Sequence, residues 1–139
     1  MRREKVMRVL NDPLAQELLH SSLLARLAYN AIDGSPRVIP IGYEWDGQRF
    51  VVGTAVNAPK VRALRVHPKV ALTIDTDRHP PHVLLVRGTA NVEIVDGVPA
   101  EYLRASRKAV PAEQWPAFEA QVRSLYQQMA RIVLVPEWL

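Results

Sequence analysis

Two glycine turns set close together constrain this chain more than any other feature. Asp33-Gly34-Ser35-Pro36 separates two strand-like runs, residues 27–32 and 37–45, and Asp46-Gly47 leads into a third, residues 49–53. Gly reaches the backbone conformations that close a hairpin, while Asp and Ser satisfy turn amides locally. Three short strands joined by such turns predict an antiparallel meander. Pro40 cannot donate to a ladder, so its strand is expected at a sheet edge or a bulge. Further along, residues 70–75 and 82–95 read as strands on either side of the polar, Pro-rich loop 77–81, and Gly88 marks a bend or bulge. A last strand is expected at 132–135.

Helical spacing fills the intervals. Residues 12–24 form a helix with Asp12 as N-cap, Pro13 in the first position and Leu14, Leu18 and Leu19 recurring along it. A short helix at 61–66 has Asn57 as its expected cap and Pro59 in its first turn, and His67-Pro68 stops it. Residues 99–109 and 113–131 are also helical. In the latter, Trp115, Phe118, Val122, Leu125 and Met129 step by three and four, which predicts a core face or a helix–helix contact. Clustered antiparallel strands with separate helices, and no βαβ alternation, indicate an α+β or mainly β, small-barrel domain. The 139 residues suit one domain spanning 1–139.

Composition removes several classes. A hydrophobic fraction of 48% with a net charge of only +4 excludes disorder. The absence of cysteine excludes disulfides, iron–sulfur clusters, thiolate metal sites and a Cys nucleophile. Residues 1–5 are basic but no apolar stretch follows, so no signal peptide is expected. No run is long enough to span a bilayer, and a cytoplasmic protein without a membrane partner is expected. The excess of Lys and Arg, 18 against 14 acidic residues, hints at an anionic partner. The basic residues are scattered, with no aromatic interleaving and no helix-turn-helix, so nucleic acid is not the expected one. Dinucleotide, phosphate-loop, zinc-protease and serine-hydrolase motifs are absent. His20, His67, His79 and His82 lack metal-ligand spacing, and no metal is expected. Asp75 and Asp77 flank a loop as caps or solvated groups, which argues against a carboxylate-pair hydrolase.

The stretch 54–60 is the richest in chemistry. It offers the Thr54 hydroxyl, free amides at a helix start, and Lys60 within one turn, with Arg62 close behind. Orphan donors and the partial positive charge of a helix start suit a phosphate. The same residues also suit an ordinary capped helix with solvated basic side chains. Arg37 opens a strand that the meander would lay against the Thr54 strand, or else is an exposed strand-end charge. His82 follows a Pro pair, as a ligand contact or as a satisfied polar group.

Taken in order, these pieces resemble the pyridoxamine 5'-phosphate oxidase-like family of flavin- and deazaflavin-binding split β-barrels. The carrying residues are Asp33-Gly34-Ser35-Pro36-Arg37-Val38-Ile39-Pro40-Ile41, then Phe50-Val51-Val52-Gly53-Thr54, then Lys60 six residues on. The run from Lys60 to Asp75 follows, and then Val83 to Ala90. The resemblance implies a split barrel of six or so antiparallel strands with flanking helices, as a homodimer with cofactor sites between the chains. It implies FMN or the deazaflavin coenzyme as cofactor, with haem on the same fold as an alternative. Lys60 matches the phosphate-binding Lys and Thr54 a neighbouring contact. Arg37, Val38, Ile39, Pro40 and Ile41 form the strand beside the ring and ribityl chain, and His82 falls where the oxidases place a Gln near the ring. Relatives carry Arg directly before the Lys. Here Pro59 stands instead, and Arg62 or Arg37 would supply the second charge. The implied function is hydride transfer to or from a small organic substrate. The alternative is a non-catalytic cofactor- or haem-binding module.

Overall fold

The computed structural model describes residues 1–139. Two short helices, α1 (Arg3–Leu10) and α2 (Pro13–Leu19), precede β1 (Ala25–Asn30), β2 (Pro36–Ile41), β3 (Glu44–Trp45) and β4 (Phe50–Thr54). Then come α3 (Pro59–Val66), β5 (Lys69–Asp75), β6 (Val83–Asp96), α4 (Ala100–Arg107), a 3-10 turn at Ala112–Gln114, α5 (Trp115–Leu125) and β7 (Gln128–Trp138). The seven strands form one antiparallel sheet in the order β2-β1-β5-β6-β7-β4-β3, curled into a half-barrel. The split-barrel expectation holds, with seven strands and five α-helices.

Both predicted hairpin turns are present. Gly34 and Gly47 take the positive φ values of 85° and 101° that their turns require. Asp46 Oδ1 accepts from the amides of Gln48 and Arg49 at 2.9 and 2.7 Å. The predicted meander is not formed. β1 pairs with β2 and β3 pairs with β4, but the two hairpins lie at opposite edges of the sheet. The run 37–45 breaks at Gly42-Tyr43, where the Tyr43 side chain enters the core at 1% exposure. Its ring packs edge-on to Phe50 at 5.3 Å, and its hydroxyl donates toward the Leu18 and Leu19 carbonyls at 3.2 and 3.1 Å. That anchor carries the chain from one sheet edge to the other. β4 instead pairs with β7, the last strand in the chain. Pro40 sits on edge strand β2 as expected.

Gly88 marks the predicted irregularity. The β6–β7 register shifts between Arg87 and Gly88, and a Cβ on Gly88 would stand 2.1 Å from the Val135 carbonyl oxygen. Three further expectations are corrected, and one helix is an addition to them. The helix at 12–24 ends at Leu19, although Asp12 does cap it, accepting from the Leu14 amide at 3.0 Å. α1 was not foreseen: Val6 and Leu10, one turn apart, are buried amid charged neighbours. Asn57 does not cap α3; Ala58 takes that place with no side-chain bond. The helix at 113–131 stops at Leu125 because the chain turns extended at Tyr126, and Met129 belongs to β7, which pairs with both β6 and β4. As a central strand, β7 satisfies its backbone groups by pairing on both sides.

The Tyr43 phenol ties the core to α2, and burial pushes its pKa up to about 12. A folded-state value above the unfolded one near 10 favours the neutral, folded form below pH 10 and withdraws that support between pH 10 and 12. Chemical denaturation should show wild type losing about 2 kcal/mol over that range beyond any loss in Tyr43→Phe. Equal slopes for the two proteins would disprove the assignment. At pH 7, Tyr43→Phe should cost about 1–2 kcal/mol through the lost hydrogen bond.

Candidate functional site

Helix α3 organises the site. Pro59 occupies its first position, and Val61, Ala63 and Leu64 are buried against the sheet. With about 100° of rotation per residue, Lys60 and Arg62 project about 200° apart, to opposite flanks of the helix. A cavity lies on each side. The first, of about 310 Å³, is walled by Pro40, Ile41 and Gly42 at the end of β2, by Gly53 of β4, and by Lys60. The second, of about 630 Å³, holds Arg37 and Arg62 with Asn57, Ala58 and Pro59 around the helix start.

The first cavity has an unusual charge balance. Lys60 and Lys108 line it and no Asp or Glu does. Ten ion pairs tie other basic residues to carboxylates; Lys60, Lys108, Arg37 and Arg62 are in none of them. Lys60 is half-buried, and burial lowers its pKa from the ordinary lysine range. A desolvated ammonium without a counter-charge is costly, and an anionic ligand relieves that cost. In the second cavity Asp33 is the one acid, held ionised by hydrogen bonds from Ser35 and, less strongly, by Arg37.

The other expected site residues fall elsewhere in the chain. Strand alternation turns Val38 outward at 66% exposure and Ile39 inward against the core, so β2 cannot present all its side chains to one ligand. Arg37 is not beside Thr54: it pairs with Tyr29, whereas Thr54 pairs with Ala130 of β7. Thr54 and His82 line neither cavity. The His82 ring turns toward α2, with Nδ1 3.6 Å from Glu17 Oε2, while its amide donates to Thr76 Oγ1 at 2.9 Å. That placement separates His82 from Lys60.

Sequence reasoning missed the far wall of the first cavity, which is helix α4 and the turn after it. Tyr102, Ser106 and Lys108 face the cavity from there. α4 buries no residue of its own. Ion pairs hold it down: Arg104 grips Glu44 at 2.5 and 3.0 Å, and Glu101 receives Arg131 at 2.5 and 3.0 Å while Arg131 also reaches Glu93. The Arg131 guanidinium holds the Glu101 carboxyl below the usual carboxylate range. Tyr102 lies directly on Gly53, where an added Cβ would stand 2.8 Å from the Tyr102 Cβ. No local pattern announces these contacts, which join residues far apart in the chain.

The sequence profile of the pyridoxamine 5'-phosphate oxidase family matches residues 12–132. The chain belongs to that family. Among solved structures, an F420 reductase is similar at 28% identity and TM-score 0.68, over 88% of this chain and 93% of its own. The haem storage protein HutZ of Vibrio cholerae is similar at 18% identity and TM-score 0.64, over 92% and 91%. General stress protein 26 of Bacillus anthracis is similar at 14% identity and TM-score 0.60, over 96% and 88%. The last two likenesses show the fold alone. No curated protein matches in sequence. A reductase and a haem storage protein thus share this sheet, and the fold alone does not decide between such roles.

The Gly53–Tyr102 contact gives a direct check on how α4 covers the cavity. Gly53→Ala should lower stability by about 1–3 kcal/mol, and Tyr102→Gly in the same chain, which takes away both the Cβ and the ring that meet it, should remove most of that penalty. Additive losses in the double variant would show that the two residues do not meet.

Proposed function

We propose that this chain is a flavin- or deazaflavin-dependent oxidoreductase of the pyridoxamine 5'-phosphate oxidase family. The carrying observation is Lys60: a half-buried ammonium without a protein acceptor, on an acid-free cavity beside the end of β2. That donor set fits a phosphorylated cofactor. Lys60 would hold the terminal phosphate, and Pro40, Ile41 and Gly42 would form the wall that orients the ring. Arg37 and Arg62, across the first turn of α3, would add positive field and replace the charge that Pro59 lacks. When bound, the cofactor ring supplies the hydride chemistry, and the protein contributes binding, orientation and exclusion of water. No Asp, Glu or His lines the cavity, so a proton needed by the substrate would come from water. The F420 reductase likeness supports the same class.

The competing module reading, a cofactor carrier or haem binder, draws support from the same lack of an acid or base. Haem fits less well, because no imidazole lines either cavity. His20 bonds to Gln16 and His67 to the Ile32 carbonyl, while His82 faces Glu17. Turnover of reduced cofactor with quinones or enones separates enzyme from module.

The working unit in this reading is a homodimer. Val38, Val83 and Leu85 lie on one outer face of the sheet at 66, 57 and 50% exposure. A second copy would cover that face and bring further walls to the cofactor, including groups that Thr54 or His82 would meet. Sedimentation should give a dimer that Leu85→Lys dissociates; a monomeric wild type would remove this element. No helix is long and apolar enough to cross a membrane.

Titration of the pure protein with FMN and with the deazaflavin coenzyme, followed by fluorescence, tests the cofactor. At least one should bind, and Lys60→Ala should weaken it by about 1.5–3 kcal/mol. Binding of neither would sink the reading. An unchanged dissociation constant in the variant would take Lys60 out of the site.

A further inference from the structure

We infer that the α4 side of the first cavity is a subsite for an anionic substrate group, a carboxylate or enolate oxygen, received by Lys108. The inference rests on the cofactor reading only in giving Lys60 to the phosphate. Lys108 follows the last residue of α4, a position where a cation ordinarily serves the helix end and points to solvent. Here its ammonium turns to the cavity instead. It donates to the Tyr43 carbonyl oxygen at 3.1 Å and stands 4.4 Å from the Tyr43 ring centroid.

An ammonium has three donors, and the Tyr43 carbonyl takes one. No carboxylate of the protein pairs with the others. Glu44 is the nearest acid to act on Lys108 and raises its pKa, but the Glu44 carboxyl is bound to both guanidinium nitrogens of Arg104, and burial outweighs it. The Tyr102 hydroxyl lies on the same wall beside the Ser106 side chain, and burial holds it neutral well above pH 7. The wall therefore offers one cation and one neutral donor to an incoming oxygen anion. Ile41 and Val52 leave an apolar body between that wall and Lys60. The combination selects a small, partly apolar organic acid over its neutral analogue, because a neutral group leaves the ammonium unanswered.

Benzoate and benzamide, which share a shape and differ in charge, are the probes. Each is titrated calorimetrically into the protein with and without the cofactor that binds. Wild type should prefer benzoate by about tenfold or more, the scale of one charge-assisted hydrogen bond. Lys108→Gln should erase the preference while leaving the cofactor dissociation constant unchanged, and Lys108→Arg should keep most of it. Lys60→Gln should do the reverse, losing cofactor and keeping the preference in the cofactor-free protein. A benzoate-to-benzamide ratio unchanged in Lys108→Gln, or no benzoate binding by wild type, overturns the proposal. Loss of the preference in both Lys108→Gln and Lys108→Arg, with melting temperatures unchanged, overturns it as well, since charge would then not be the determinant. If no cofactor binds but the Lys108-dependent preference remains, the subsite stands and the cofactor reading falls.

Discussion

The close passage of β7 over Gly88 of β6 is the constraint on which the remaining architecture depends. β6 is fourteen residues long, and it pairs with β5 along one part and with β7 along another. The two ladders curl the sheet because the register shifts at Arg87/Gly88, where only a missing Cβ lets the Val135 carbonyl approach. β7 then reaches β4, so a strand from the end of the chain fills the place beside one near its middle. Without that crossing, β4 and its hairpin partner β3 would have no neighbour on their inner side, and α3 would not be delivered between two cavities.

The interior fits this arrangement. Its fully buried residues are apolar or aromatic, and Tyr43, Trp45 and Phe50 form an aromatic cluster under the strand that leads to α3. Charge is kept at the rim, where it divides into two kinds. Arg104, Arg131 and their carboxylates fasten α4, an element with little apolar contact of its own. Lys60, Lys108, Arg37 and Arg62 have no such partners and gather around α3 and the two cavities.

Much of the local structure was legible because it rests on contacts between near neighbours. Asp12 caps α2, Gly34 and Gly47 close their turns, Pro40 marks an edge, and Gly88 marks an irregularity. Three of the errors share one cause. The meander, the long helix at 113–131 and the placing of Arg37 beside Thr54 all assumed that segments close in sequence stay close in space. Met129 satisfies helical spacing with Leu125 as well as it satisfies a strand, and β7 claims it by pairing on both sides. Lys60 stands out as a candidate in the sequence because a cation just inside a helix start carries a local signal. Lys108 was not found, since nothing near it in the chain distinguishes it from a solvated helix-end lysine.

Turn chemistry, strand and helix periodicity, the absence of cysteine and the ordered run from Asp33 to Ala90 were enough to identify a cysteine-free, mainly antiparallel family member with a phosphate-suited lysine. Those properties depend on single residues and their immediate neighbours, so one chain read in order contains them. The assembly of the site was decided by folding. Opposite projection from α3 sends Lys60 and Arg62 into different cavities, and the Tyr43 anchor carries β3 and β4 across the core. The ion-paired α4 then closes the first cavity with Lys108 and Tyr102. Each depends on long-range packing, where a contact between residues far apart in sequence is set by the shape of the whole sheet and by no pattern in either segment.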